Sequence, residues 1–130
     1  MTNVKKILIV DDSAAQRCRS VKAFRGRPYS IYEAEDGIEA VQMFRGVRPD
    51  LTIMDNNMPI MEGIDAIRYI KKVDKNAIII MCSAVDDEKV IMEAIRAGAK
   101  DYIIKPVKKD LLLKIVETYL KTGNGTENSG

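Results

Sequence analysis

Three acids, a hydroxyl and a lysine in this sequence stand where they could act together: the adjacent Asp11 and Asp12, then Asp55, Ser83 and Lys105. Each follows a short apolar run, KILIV before Asp11, LTIM before Asp55, AIIIMC before Ser83 and YII before Lys105. Apolar runs of this length bounded by turn residues read as strands buried on both faces. Side chains at the C-terminal ends of parallel strands lie along the edge where open α/β sheets hold ligands. Carboxylates crowded at one edge repel, so either their pKa values rise or a cation sits among them. With a backbone carbonyl and waters they form a hard oxygen set that suits Mg²⁺. A lysine and a hydroxyl across the same cleft suit the oxygens of a phosphoryl group. A carboxylate can also be the nucleophile, giving an aspartyl phosphate whose charge the metal helps neutralise.

These side chains need a scaffold, and the chain supplies one in regular order. The first strand is expected over residues 6–10. Ser13 caps a helix with apolar positions at Ala14, Cys18, Val21 and Phe24, ended by Gly26 and Pro28. A weaker strand over 30–34 leads through Asp36-Gly37 to a helix marked by Ile38, Val41 and Phe44. The central stretch is DLTIMDNNMPIMEG, residues 50–63, in which bulky apolar residues run into a turn of Asn and Pro with Asp55 at the junction. Ile64, Ile67 and Ile70 then repeat at helical spacing. A strand over 77–82, a helix over 86–97 stopped by Gly98, a strand over 102–104 and a helix with Leu112, Ile115, Val116 and Tyr119 complete the chain. Strands alternating with helices imply an α/β fold: a doubly wound, five-stranded parallel sheet with five helices, flavodoxin-like. One domain is expected over residues 1–121 and a flexible Gly/Asn-rich tail over 122–130.

Composition narrows the function classes. The chain is 46% hydrophobic and 31% charged with a net charge of +2, so no global charge argues for nucleic acid or an anionic membrane. It has no histidine, which removes histidine general bases and histidine metal ligands. Cys18 and Cys82 form no CxxC and read as small apolar core residues. No stretch has the length of a membrane span or the form of a signal peptide. A cytoplasmic monomer is expected.

Taken singly, each site residue has an ordinary use. An Asp after a strand caps a helix or forms a turn, Ser83 would be an N-cap, Lys105 a solvated charge and Pro106 punctuation. Their coincidence at four strand ends is less ordinary. The stretches ILIVDDS, DLTIMDNNMPIMEG, IIIMCSA and AGAKDYIIKP resemble response-regulator receiver domains over about residues 4–121. Among these the resemblance is greatest to CheY-like single-domain receivers of chemotaxis.

The resemblance implies roles. Asp55 would be the phosphoacceptor. Asp12 would bind Mg²⁺ directly, Asp11 largely through water, and Asn57 through its backbone carbonyl. Lys105 would meet the phosphoryl oxygen, aimed by a cis peptide before Pro106. Ser83 and the Ala84 amide would bind the phosphoryl group, and Ser83 with Tyr102 would form the switch. A histidine kinase or histidine phosphotransfer protein would be the donor. The downstream target would dock on the fourth helix, fifth strand and fifth helix, and in chemotaxis it would be the flagellar motor switch. Such a domain is not an enzyme in the usual sense, although it assists its own phosphorylation and dephosphorylation. Two departures from the family pattern stand out, Asn56 for a frequent aromatic and Val85 for a frequent acid; in the family the side chains at the positions of Asn57 and Val85 bear on phosphoryl lifetime, which is expected to differ here. A phosphorelay intermediate or the receiver of a longer, for example DNA-binding, regulator fits the same residues. An aspartate-nucleophile phosphatase fits less well, because its acids would be spaced D-x-D and no room remains for a cap domain. A flavodoxin-like cofactor carrier fits least, because Asp11 and Asp12 would repel a phosphate in the first loop.

Overall fold

A computed structural model describes residues 4–121; the tail expected over 122–130 lies outside the described residues. The strands are β1 (Lys5–Val10), β2 (Tyr29–Ala34), β3 (Leu51–Asp55), β4 (Ile79–Ser83) and β5 (Asp101–Ile104). The helices are α1 (Ala14–Ala23), α2 (Gly37–Val47), α3 (Gly63–Val73), α4 (Glu88–Ala97) and α5 (Lys109–Leu120). All paired strands are parallel, in the order β2-β1-β3-β4-β5. The chain therefore starts near the middle of the sheet, winds outward to β2, then crosses back over β1, and the crossover between β1 and β3 opens the edge at which ligands bind in such sheets.

Strand alternation divides the core in two. Leu8, Val10, Met54, Ile79 and Met81 point to the side covered by α2, α3 and α4, where they meet Phe44, Ile67 and Ile70. Ile7, Ile9, Leu51, Ile53, Cys82 and Ile103 point to the other side, covered by α1 and α5 through Ala23, Phe24, Leu112 and Val116. Every residue of β3 and β4 is buried, as expected of central parallel strands.

Helix orientation is where the sequence pattern and the structure part. Cys18 and Ala14 are exposed instead of facing the core. The inward face of α1 is Arg17, Ser20, Val21 and Ala23, with Phe24 just past its end, because Arg17 is anchored against the sheet: its Nη1 donates to the Asp11 carbonyl at 2.6 Å and its Nε to Glu33 at 2.9 Å. With residue 17 turned inward, the 3.6-residue period turns residue 18 outward. In α2, Asp36 caps the helix by accepting from the Glu39 amide at 2.8 Å. Gly37, Ala40 and Phe44 face the core, which leaves Ile38 43% exposed. Ser83 is the last residue of β4 and not the first after it.

Candidate functional site

Strand register sets the acids side by side. Val10 of β1 pairs with Met54 of β3, so the next residues on the two strands, Asp11 and Asp55, leave the sheet together. Both continue the odd-numbered parity of Ile9 and Ile53, which places them on the α1/α5 side. Their side chains are buried, with Asp11 5% and Asp55 6% exposed, whereas Asp12 is exposed. Ligand oxygens of Asp11, Asp12 and Asp55 all lie within 4.8 Å of one another.

Lys105, two residues beyond Ile103 of β5, reaches the same cluster from the far side. Its Nζ donates to Asp11 Oδ2 at 2.9 Å and to Asp55 Oδ1 at 3.1 Å. It also donates to Gln16 Oε1. The Lys105–Pro106 peptide is cis. Burial pushes the Asp55 carboxyl up from 3.8 to about 6; Lys105 opposes that rise, while Asp11 and Asp12 add to it. Burial works to lower the Lys105 ammonium, but its hydrogen bond to Asp11 and the Asp55 charge hold it above the usual lysine value. Lysine is thus charged and shared between two carboxylates.

The loop after β3 is held tight under Asp55. Gly63 donates its amide to the Asn56 carbonyl at 2.9 Å. A Cβ at Gly63 would stand 2.1 Å from the Asp55 carbonyl oxygen, so only glycine fits there. Asn56 is buried with its Oδ1 unpartnered, and Asn57 is exposed beside it.

Ser83 stands apart from the acids. It follows Ile79 and Met81 in parity, on the α4 side of the sheet, and is 1% exposed. Its Oγ accepts from the Val85 amide at 3.1 Å, and the Tyr102 hydroxyl donates to the Val85 carbonyl at 2.7 Å. The two residues read as a switch therefore hold the amide and the carbonyl of one residue, Val85, in the β4–α4 loop. The next residue, Ala84, is exposed and lines the same cleft as Asp55 and Lys105.

Gln16 and Arg17 belong to the site and were missed in the sequence. Gln16 lies three residues after the capping Ser13, whose Oγ accepts from the Gln16 amide at 3.2 Å. That spacing is the signature of a capping box, yet the Gln16 side chain turns to Lys105 instead. Arg17, by holding the Asp11 carbonyl, fixes the backbone from which Asp11 projects.

The sequence model described as the response regulator receiver domain matches residues 7–117. The chain belongs to this family. It is 42% identical over 118 residues to the chemotaxis protein CheY of Thermotoga maritima, covering 90% of this chain and 98% of that protein. It is 41% identical over 116 residues to the chemotaxis protein CheY of Bacillus subtilis, covering 88% and 97%. In fold it matches a chain of the CheX–CheY–BeF3–Mg²⁺ complex from Borrelia burgdorferi, with a TM-score of 0.85, 33% identity and 89% of each chain covered. The chain is accordingly a CheY-like receiver domain of two-component signalling. Receiver domains bind Mg²⁺ at an acidic pocket, and three clustered carboxylates are the donor set such a pocket needs. Among the described residues, no helix is long and apolar enough to cross a membrane.

Proposed function

We propose that Asp55 accepts a phosphoryl group from a histidine kinase or histidine phosphotransfer protein. In this reading an Asp55 oxygen attacks phosphorus, the phosphorus–nitrogen bond of the donor breaks, and the imidazole leaves with the electron pair and is protonated by solvent. The observation that carries it is the bridge from Lys105 Nζ to both Asp11 and Asp55 in a buried cluster. The bridging ammonium is placed to follow the charge onto a phosphoryl oxygen once Asp55 is esterified. Asp11, Asp12, Asp55 and the Asn57 carbonyl would hold Mg²⁺, which supplies charge neutralisation at the nucleophile and the phosphoryl oxygens. Burial that raises Asp55 leaves it mostly ionised at pH 7.5, as a nucleophile must be.

Ser83 then exchanges the Val85 amide for a phosphoryl oxygen, beside the Ala84 amide. Val85, its amide released, shifts the Tyr102 hydroxyl that holds its carbonyl, and a local charge change becomes a change of surface. The surface affected is α4, β5 and α5, which exposes Met92, Ile95, Ile104 and Leu111. Chemotaxis is the pathway favoured, because relatives above 40% identity are chemotaxis proteins covered over nearly their whole length. CheY-like receivers are in general not catalytic enzymes, and this chain is read as a phosphoacceptor that assists its own charging and discharge. It acts in the cytoplasm as a monomer and without direct contact with nucleic acid.

The test is a titration with the N-terminal peptide of a flagellar switch protein, with and without Mg²⁺ and beryllofluoride, and with Asp55→Ala as control. Tighter binding only in the activated, Asp55-intact protein is expected. A Mg²⁺-dependent change at Asp55 without peptide binding would move the output to a phosphorelay or a longer regulator. No response to beryllofluoride would overturn the site.

A further inference from the structure

The loop after β3 holds one residue in a conformation that its side chain resists. Ile60 has φ 74, in the left-handed region where a β-branched side chain collides with its own backbone. The Met61 amide donates to the Pro59 carbonyl at 2.7 Å. That bond closes a three-residue turn of the rare hand, whose central residue sits near φ +75. Ile60 is also 76% exposed, more than any other large apolar side chain among the described residues. A lone exposed isoleucine is ordinary. An exposed isoleucine held in a strained backbone, beside a site, is not.

The flanks force this conformation. Met58 is buried in the α2/α3/α4 core, and Met61 packs against the same core. Met61 also lies on Gly37, where a Cβ would stand 2.6 Å from the Met61 carbonyl oxygen. Pro59 fixes its own φ, and the Gly63 amide closes the base of the loop on the Asn56 carbonyl. Both ends are thus anchored, and the residue between Pro59 and Met61 is left to reverse the chain. Glycine would do so without strain, and asparagine with little. Packing inside the molecule does not offset the strain at isoleucine, because three-quarters of the residue faces solvent.

The loop stands on the acid cluster. Gly63 packs against the Asp55 carbonyl, and Ile60, three residues before it, lies no more than about 11 Å from Gly63 along the chain. A protein that delivers a phosphoryl group to Asp55 must cover this ground. An interface of ordinary size, about 800 Å² per partner, reaches about 16 Å from its centre. We propose that Ile60 is an apolar anchor for the histidine-bearing protein that charges Asp55, presented rigidly to an apolar depression on that donor. The strained turn presets the side chain, so little conformational freedom is lost on docking. The proposal rests on the reading of Asp55 as phosphoacceptor, but a small donor such as acetyl phosphate needs no anchor, and the two readings separate on that difference.

The test compares Ile60→Gly and Ile60→Leu with the parent, on the full chain. Charging is followed by intact-protein mass with two donors, an autophosphorylated chemotaxis histidine kinase that charges the parent, and acetyl phosphate. Ile60→Gly should raise KM for the kinase about fivefold or more, the loss expected of an interface anchor. Its maximal rate and its charging by acetyl phosphate should stay at the parent's values. Ile60→Leu keeps an apolar side chain and should keep the parent's KM. In urea denaturation Ile60→Gly should match or exceed the parent's midpoint, because it relieves the turn. An unchanged KM in Ile60→Gly, an equal loss in Ile60→Leu, a parallel loss with acetyl phosphate, or a lowered urea midpoint would each overturn the anchor. So would a parent that acetyl phosphate charges and no histidine kinase does. A parent that neither donor charges would overturn the phosphoacceptor reading and the anchor with it.

Discussion

The two faces of the sheet are built on different terms. On the α2/α3/α4 side, three helices bring Phe44, Ile67 and Ile70 against Met54 and Met81, and all five are at most 2% exposed. On the α1/α5 side, two helices cover an apolar layer that is just as deeply buried, with Ile7, Ile9, Ile53, Leu112 and Val116 at most 3% exposed, but the charged cluster of Asp11, Asp55 and Lys105 sits at its edge. Both faces are packed, and the buried charge sits on the second. Desolvated charge is costly, and the first face can offset that cost without itself taking part in the chemistry.

Substitutions on the two faces should separate these roles. The largest contrast is functional. Asp55→Ala, on the α1/α5 side, should abolish phosphorylation by acetyl phosphate or a histidine kinase, measured by intact-protein mass, while Ile67→Ala leaves the folded fraction chargeable. The second contrast reverses the first. Ile67→Ala should lower stability by about 2–5 kcal/mol in urea denaturation. Removal of a side chain that tightly packed leaves a cavity its neighbours cannot close.

Asp55 supplies the third contrast, and its sign is fixed by its raised pKa. A carboxyl near 6 in the folded protein and near 4 in the unfolded chain binds its proton more tightly when folded. The metal-free protein should therefore be most stable, in respect of this group, below pH 4, and should lose that increment as the pH rises through 6. Asp55→Asn should remove this pH dependence and stabilise the metal-free protein at pH 7.5 by about 1–2 kcal/mol, a figure already reduced for solvent screening. Mg²⁺ should stabilise the parent and not the variant. A destabilised Asp55→Asn protein would show that the acid cluster is no burden on the fold.

The smallest effect is at the switch. Tyr102→Phe removes the hydrogen bond to the Val85 carbonyl and should cost about 1 kcal/mol. Amide shifts should change in the β4–α4 loop, while charging of Asp55 is retained.

Much of the site was legible because strand ends are legible. Asp11, Asp55 and Lys105 each follow an apolar run, and parallel register alone brings such ends to one edge. The helices were harder. Ala14, Cys18, Val21 and Phe24 are spaced like a buried stripe, but the anchor that rotates α1 is Arg17, a residue type read as solvent-exposed until its partners are known. Ile38 misled in the same way, since the Asp36 cap sets the start of α2 and with it the phase of every later residue. Gln16 carried no signal of its own, and only the fold brings its side chain to accept from Lys105.

Residue parity has one more consequence. Asp11, Asp55 and Lys105 carry odd-numbered positions to one side of the sheet, while Ser83 and Tyr102 face the other. The sheet is thus a partition between reception and report, crossed at its edge through the backbone of Val85. Selection can rewrite Met92 or Ile95 to change what is addressed, and leave the acid cluster untouched. A lineage that duplicates such a chain needs few substitutions to give the copies different listeners.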